Sequence, residues 1–187
     1  MCSNKQIFME TSRKVIVYIA ESLDGYIAKP NDDLSFLSIV EQVGEDYGYH
    51  DFISNIDTVI MGRKTYDWIM TQVATFPHAG KETYVITKTA RPSIGSIRFY
   101  TGKLKALVLQ LKNRKGKNIF VDGGASIVNE LLKETLIDEF YISIIPVLLG
   151  GGVRLFNDGR PEQRLKLVSV KQFEKGLAQI HYLCSGD

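Results

Sequence analysis

The sequence predicts one α/β domain on a mostly parallel sheet, and three observations predict it. Short β-branched apolar runs alternate with segments of helical periodicity. Most runs end in glycine or a polar turn, as strands feeding crossover helices do. The last two runs flank Glu174-Lys175-Gly176, a hairpin signal that adds an antiparallel edge. A length of 187 residues suits one well-buried domain better than two.

Each element follows in order. "KVIVYIA" (14–20) is a buried strand, and Asp-Gly, Pro and Asn-Asp-Asp signal turns after it. "LSFLSIVEQV" reads as a helix with Leu34, Leu37 and Val40 on one face, Phe36 and Val43 alongside, and Asp32 or Asp33 as its cap. Gly44 and Gly48 interrupt it before a short helix over "YHDFISNI". "DTVIMG" (57–62) is a strand closed by glycine, and "RKTYDWIM" starts a helix. "ETYVIT" (82–87) and "IRFYT" are strands. In "GKLKALVLQLKNRKG", Leu104, Leu107, Val108 and Leu111 fall at i, i+3, i+4 and i+7, a clear helical stripe. "KNIFVDGG" is the strand before the helix "ASIVNELLKETL". "IDEFYISIIPVLLGGG" reads as a long strand ended by a proline and glycines, and its periodicity fits a buried strand and a dimer face equally.

Composition narrows the function. Apolar residues make up 44% and charged residues 24%, with a net charge of +2 spread along the chain. Neither a nucleic-acid nor a membrane partner is called for. The basic run at 112–117 reads as a solvated turn, and no apolar stretch reaches the roughly 18 residues of a membrane span. Residues 1–13 read as a loosely held lead-in without a signal-peptide core, and 14–187 as the domain. Cys2 and Cys184, one near each end, fit a reducing cytoplasm, and the three histidines lack metal-ligand spacing, so no metal is expected.

In an open α/β sheet, ligands bind at the carboxyl ends of the strands. Three clusters fall there: Gly62-Arg63-Lys64-Thr65, Thr87-Lys88-Thr89 and Gly123-Gly124-Ala125-Ser126. They combine helix-start backbone, hydroxyls and cations, which suits a ligand with several phosphates. Three strand ends match the span of a dinucleotide. Arg63 suits a ribose 2′-phosphate, because a guanidinium forks onto phosphate oxygens, and this favours NADPH over NADH.

Four motifs then carry a resemblance. "TVIMGRKTYDWI" and "IFVDGGASIVNELL" resemble the dihydrofolate reductase superfamily, in which a strand ends in glycine before a helix. "SLDGYIA" (22–28) and "IPVLLGGGVRLF" (145–156) resemble the reductase domain of riboflavin biosynthesis, the RibD C-terminal family. They occur in order over about residues 14 to 184. The resemblance implies a dihydrofolate reductase-like three-layer α/β/α fold, NADPH across the strand ends, and a homodimer. It implies that Gly62, Arg63, Lys64 and Thr65 hold the adenine-side phosphates and that Thr87 and Lys88 flank the adenosine. Gly124, Ala125, Ser126 and Ile127 would line the pyrophosphate and nicotinamide ribose, with Gly123-Gly124 as bare backbone for close approach. Asp122 would contact substrate, while Asp24 and Asp33 are candidate catalytic and substrate-binding carboxylates.

The chain also departs from its relatives. It lacks the His-x-Glu and Pro-Cys-x-x-Cys zinc motifs of a deaminase domain and the proline-tryptophan pair of folate enzymes, its only tryptophan being Trp68. The expectation is therefore a stand-alone cytoplasmic NADPH-dependent reductase of the riboflavin type. It would transfer hydride to a ribosylaminopyrimidine or related heterocycle, its proton coming from solvent, Asp24 or Asp33. The alternatives are a dihydrofolate reductase acting on a pterin through Asp33, and a non-catalytic NADPH-binding protein.

Overall fold

Alternating apolar residues build an eight-stranded sheet in the computed structural model, which describes residues 13–184. The first strand, β1 (Val15–Ser22), turns at Gly25 into the short β2 (Tyr26–Ala28). Two 3-10 turns, Pro30–Asp32 and Ser35–Ile39, precede α1 (Tyr49–Ser54). Next come β3 (Ile56–Gly62), α2 (Arg63–Gln72), β4 (Glu82–Ile86) and β5 (Ile97–Tyr100). After α3 (Leu104–Lys112) follow β6 (Asn118–Val121), α4 (Ala125–Lys133) and β7 (Glu139–Ile145). The chain closes with β8 (Val153–Arg154), β9 (Leu165–Gln172) and β10 (Ala178–Cys184).

The sheet order is β5-β4-β3-β6-β1-β7-β10-β9, parallel as far as β7 and antiparallel beyond it. Period-two alternation sends Val15 and Val17 of β1 to one face, with Leu107, Leu111 and Leu131 of α3 and α4. Ile16 and Tyr18 face the other way, onto Phe52 of α1 and Tyr66 of α2. Helices thus cover both faces, giving the mostly parallel three-layer arrangement that the sequence predicts. The four apolar residues of the α3 stripe are all buried.

The strands around β1 are unequal in length. Its pairing with β6 runs from Val15↔Ile119 to Val17↔Val121, whereas pairing with β7 continues to Ser22↔Ile145. Residues 18–22 therefore have β7 on one side and no paired strand on the β6 side. This notch opens at the carboxyl end of the sheet.

Three expectations need correction. The helix expected over 34–43 is only the 3-10 turn Ser35–Ile39, which buries Phe36 and Val40 and leaves Val43 fully exposed. The long strand expected through 152 stops at Ile145, because Pro146 has no N–H to continue the ladder. That strand is an interior one, flanked by β1 and β10. The lead-in lies outside the described residues except for Arg13, which is 3% exposed.

Arg13 ties three elements together. Its guanidinium pairs with Asp57 and donates to Thr58 Oγ1 at 2.6 Å, Lys117 O at 2.5 Å and Leu111 O at 3.2 Å. Asp57 in turn accepts from Lys117 N at 2.7 Å. Replacing Arg13 with Ala strips buried acceptors of their donor. It is expected to cost about 1–3 kcal/mol, read as a lower urea midpoint at unchanged slope.

Candidate active site

Because β3, β4 and β6 are parallel, their carboxyl ends lie side by side and bring the three sequence clusters to one edge. Gly62 caps α2 and Gly124 caps α4, and neither helix has a side-chain cap. Apart from Ile127 N–H, which donates to Gly124 O, their first-turn N–H groups are left for another acceptor. Gly62 N donates to Gly123 O at 3.1 Å, which fastens the two helix starts together. Gly123 has φ +83°, a conformation that strongly favours glycine, and the Gly123–Gly124 peptide is cis. A Cβ on Gly124 would sit 3.3 Å from Thr65 Oγ1, so α2 closes directly over the bare backbone. Two adjacent positive helix ends over a side-chain-free floor fit the phosphates of a dinucleotide.

The side chains around this floor divide unevenly. Arg63 and Arg91 share Asp67, at 2.5 and 3.1 Å, and both remain about 40% exposed at 43% and 39%. Arg91 also lies over Phe99. Lys64, Lys88 and Ser126 are exposed. Thr87 is buried, and its hydroxyl bridges to Thr89 within its own turn. Ile127 does not reach the edge as a side chain: it is buried against the core, and its N–H donates to Gly124 O at 3.0 Å. Ala125 is also buried.

Asp122 stands at the end of β6 on the α1 face. Its Oδ2 lies 2.6 Å from Nε2 of His78, a residue only 3% exposed and packed edge-on against Phe76 and Phe120. Tyr18, Tyr49, Phe52 and Tyr141 form an aromatic cluster on the same face. Burial, then the Asp122 charge, pushes the Tyr49 hydroxyl above its ordinary range. An acid oriented by histidine beside aromatic rings suits a flat heterocycle with N–H donors.

Asp24 and Asp33 have other partners. Asp24 Oδ1 accepts from Ser22 Oγ at 2.6 Å and Leu149 N at 3.0 Å, and Oδ2 accepts from Gly150 N at 2.7 Å. The Ser22 hydroxyl, then those two amides, hold its carboxyl down to about 2. Leu23 N bonds to Val147 O, Leu155 N bonds to Gly25 O, and β2 pairs with β8. A Cβ on Gly152 would lie 2.0 Å from Ala28 O, so only glycine allows that approach. The motifs "SLDGYIA" and "IPVLLGGGVRLF" are therefore two halves of one clasp. Asp33 accepts from Ser35 N at 2.7 Å and Ser35 Oγ at 3.1 Å, bonds that hold its carboxyl below the usual range. It behaves as the start of the 3-10 turn. These bonds favour the ionised form of both carboxylates.

His78, Tyr49, Arg91 and Glu21 were not among the predicted site residues. Arg91 had a signal, a cation shortly after a strand end; His78 had none, because a loop brings it to Asp122 across 44 residues. A separate cavity of about 430 Å³, lined by Lys14, Phe52, Glu139, Tyr141 and His181 among others, lies toward the amino ends of the strands and away from this edge.

A mostly parallel sheet with an antiparallel terminal hairpin and a ligand edge of this kind defines a dihydrofolate reductase-like fold. Dihydrofolate reductase from Enterococcus faecalis, solved with NADP(H), superposes with a TM-score of 0.62 at 15% identity over 92% of this chain and 97% of its own. The chain belongs to the RibD C-terminal domain family, which it matches over residues 13–179. The uncharacterized protein YwjB of Bacillus subtilis (strain 168) is 41% identical over 91% of this chain and 98% of its own. A crystal structure from Shewanella sp. PV-4, of a protein named for riboflavin biosynthesis, has a TM-score of 0.83 at 30% identity, covering 92% and 99% of the two chains. No helix among the described residues is long and apolar enough to cross a membrane.

The clasp gives a pH test. Asp24 has a folded-state value below its ordinary one, so its stabilisation is present above about pH 4 and fades as pH falls toward 2. Asp24→Ala should melt below the wild type at neutral pH, and the gap should narrow through that acid window in thermal scans.

Proposed function

We propose that the protein is an NADPH-dependent reductase that passes hydride to a ribosylaminopyrimidine or a related heterocycle. The observation that carries this reading is the pair of uncapped helix starts, α2 and α4, fastened over Gly123-Gly124 beside the β1 notch. In this reading the N–H groups of both helix starts take the phosphates, and Arg63 and Arg91 take the 2′-phosphate in place of Asp67. Lys64 and Lys88 add positive charge around the entrance, and Thr87 shapes the adenosine-side turn. The nicotinamide supplies the hydride when bound. Asp122, fixed by His78, accepts hydrogen bonds from the heterocycle, and Tyr18 and Tyr49 provide apolar surface that excludes water. The pterin alternative, bound through Asp33, would use a carboxylate that already accepts two bonds from Ser35.

The family's homodimer is part of the proposal. The outer edge of β9 exposes Leu167, Val168 and Val170 on the last strand of the sheet, an edge that pairing with a second copy would cover. Light scattering of the wild type should give twice the chain mass, and Val170→Lys should reduce it toward the single chain.

Calorimetric titration tests the cofactor. NADPH should bind more tightly than NADH, and Arg63→Ala or Arg91→Ala should each weaken NADPH by about tenfold, the loss of one charged hydrogen bond. Equal binding of both nucleotides would remove the 2′-phosphate assignment. Asp122→Asn should leave NADPH affinity within about twofold, and in an acceptor screen it should lower kcat/KM by about tenfold or more. Tight NADPH binding with no acceptor turned over would favour the non-catalytic alternative.

A further inference from the structure

Glu21 is the penultimate residue of β1, within the stretch whose β6 side is unpaired. Its Oε2 is buried and has no hydrogen-bond partner. Gly25 lies against that oxygen, a Cβ placed there being 3.9 Å away. A buried carboxyl oxygen without a donor is costly, and the described residues supply none. The titratable groups on the surrounding elements are committed elsewhere. Asp24 of the turn is held by Ser22 and the 149–150 amides. Arg154 of β8 lies over the ring of Tyr26 of β2. Asp122 beyond β6 is bonded to His78, while β7 brings the uncharged Ile144 to its side and α4 opens with uncharged residues. None forms a hydrogen bond or ion pair with Glu21. Burial alone pushes its carboxyl up to about 7.

The proposed cofactor path would bring beside this group a ring that is uncharged when reduced and cationic when oxidised. With the adenosine half at the ends of β3 and β4 and the pyrophosphate over Gly123-Gly124, the next strand along the edge is β1. The nicotinamide end then falls in the notch. We propose that Glu21 is the counter-group to the nicotinamide ring, neutral and protonated opposite the uncharged reduced ring and ionised opposite the cationic oxidised ring. This rests on the cofactor reading above, and it makes exchange of the two cofactor forms proton-linked. The sign follows from linkage. A free-state value near 7, lowered in the oxidised complex, means that NADP⁺ binding releases a proton below pH 7. NADP⁺ affinity then rises with pH up to about 7 and levels off above it.

The experiment is calorimetric binding of NADP⁺, NADPH and adenosine 2′,5′-bisphosphate between pH 6 and 8, each in two buffers of different ionisation enthalpy. The quantity read is the ratio of NADP⁺ to NADPH affinity, in which titration of the shared 2′-phosphate cancels. In the wild type this ratio should increase several-fold from pH 6 to 7, up to about tenfold per unit, and level off only where Glu21 also ionises in the NADPH complex. NADP⁺ binding should release more protons than NADPH binding at pH 6. Glu21→Gln should make the ratio independent of pH, with adenosine 2′,5′-bisphosphate bound as in the wild type to show that the fold is kept. Glu21→Asp, which retains a carboxyl, should keep a pH-dependent ratio. A flat ratio in the wild type, or the wild-type profile persisting in Glu21→Gln, overturns the role of Glu21 and leaves the cofactor reading intact. Failure of the wild type to bind any of the three nucleotides overturns both.

Discussion

β1 keeps its pairing with β7 through Ser22↔Ile145 but loses β6 after Val17↔Val121, and the whole carboxyl edge is organised around that difference. A parallel strand with helices on both faces is ordinarily satisfied on both sides. Here the left-handed Gly123 turns the chain from β6 into α4 while β1 continues, so a gap opens next to two helix starts. Backbone geometry therefore makes the paired helix starts and the gap beside them at once. The side chains refine a site that the strand lengths have already placed.

The clasp between the β1–β2 turn and the 147–155 segment keeps that gap framed. Asp24 is its hinge pin: a short carboxylate satisfied by one hydroxyl and two amides, in a position that looks from sequence like a catalytic acid. Gly152 lets the backbones approach closer than any side chain would permit. The most specific motifs of the chain are thus supports for the site. The groups proposed to meet ligands are less conspicuous: the N–H groups of two helix starts, Asp122 with its buried histidine, and Glu21.

Electrostatics sorts the carboxylates in the same way. Asp24 and Asp33 accept several hydrogen bonds and stay ionised, whereas Glu21 is buried without a donor and holds its proton to near neutrality. The same functional group serves as an anchor in one setting and as a titrating group in the other. The difference is the supply of donors, since Glu21 sits at an open strand edge while Asp24 sits in a closed turn.

The sequence by itself determined the class of fold, the order of its main strands and helices but not the short β2 and β8, and the three clusters at the strand ends. Those signals are local: β-branched runs, a clean stripe at Leu104, Leu107, Val108 and Leu111, and glycines where a strand must give way to a helix. The family motifs were equally legible, because each is a contiguous string. Only the tertiary structure decided what the side chains do. His78 reaches Asp122 over 44 residues, Arg91 joins Arg63 at Asp67 over 24, and Leu149 reaches Asp24 over 125. It also showed Ile127 turned into the core and the helix expected at 34–43 reduced to a 3-10 turn. Whether a carboxylate anchors a loop or faces a ligand depends on which distant donors surround it, and local sequence spacing holds no record of them.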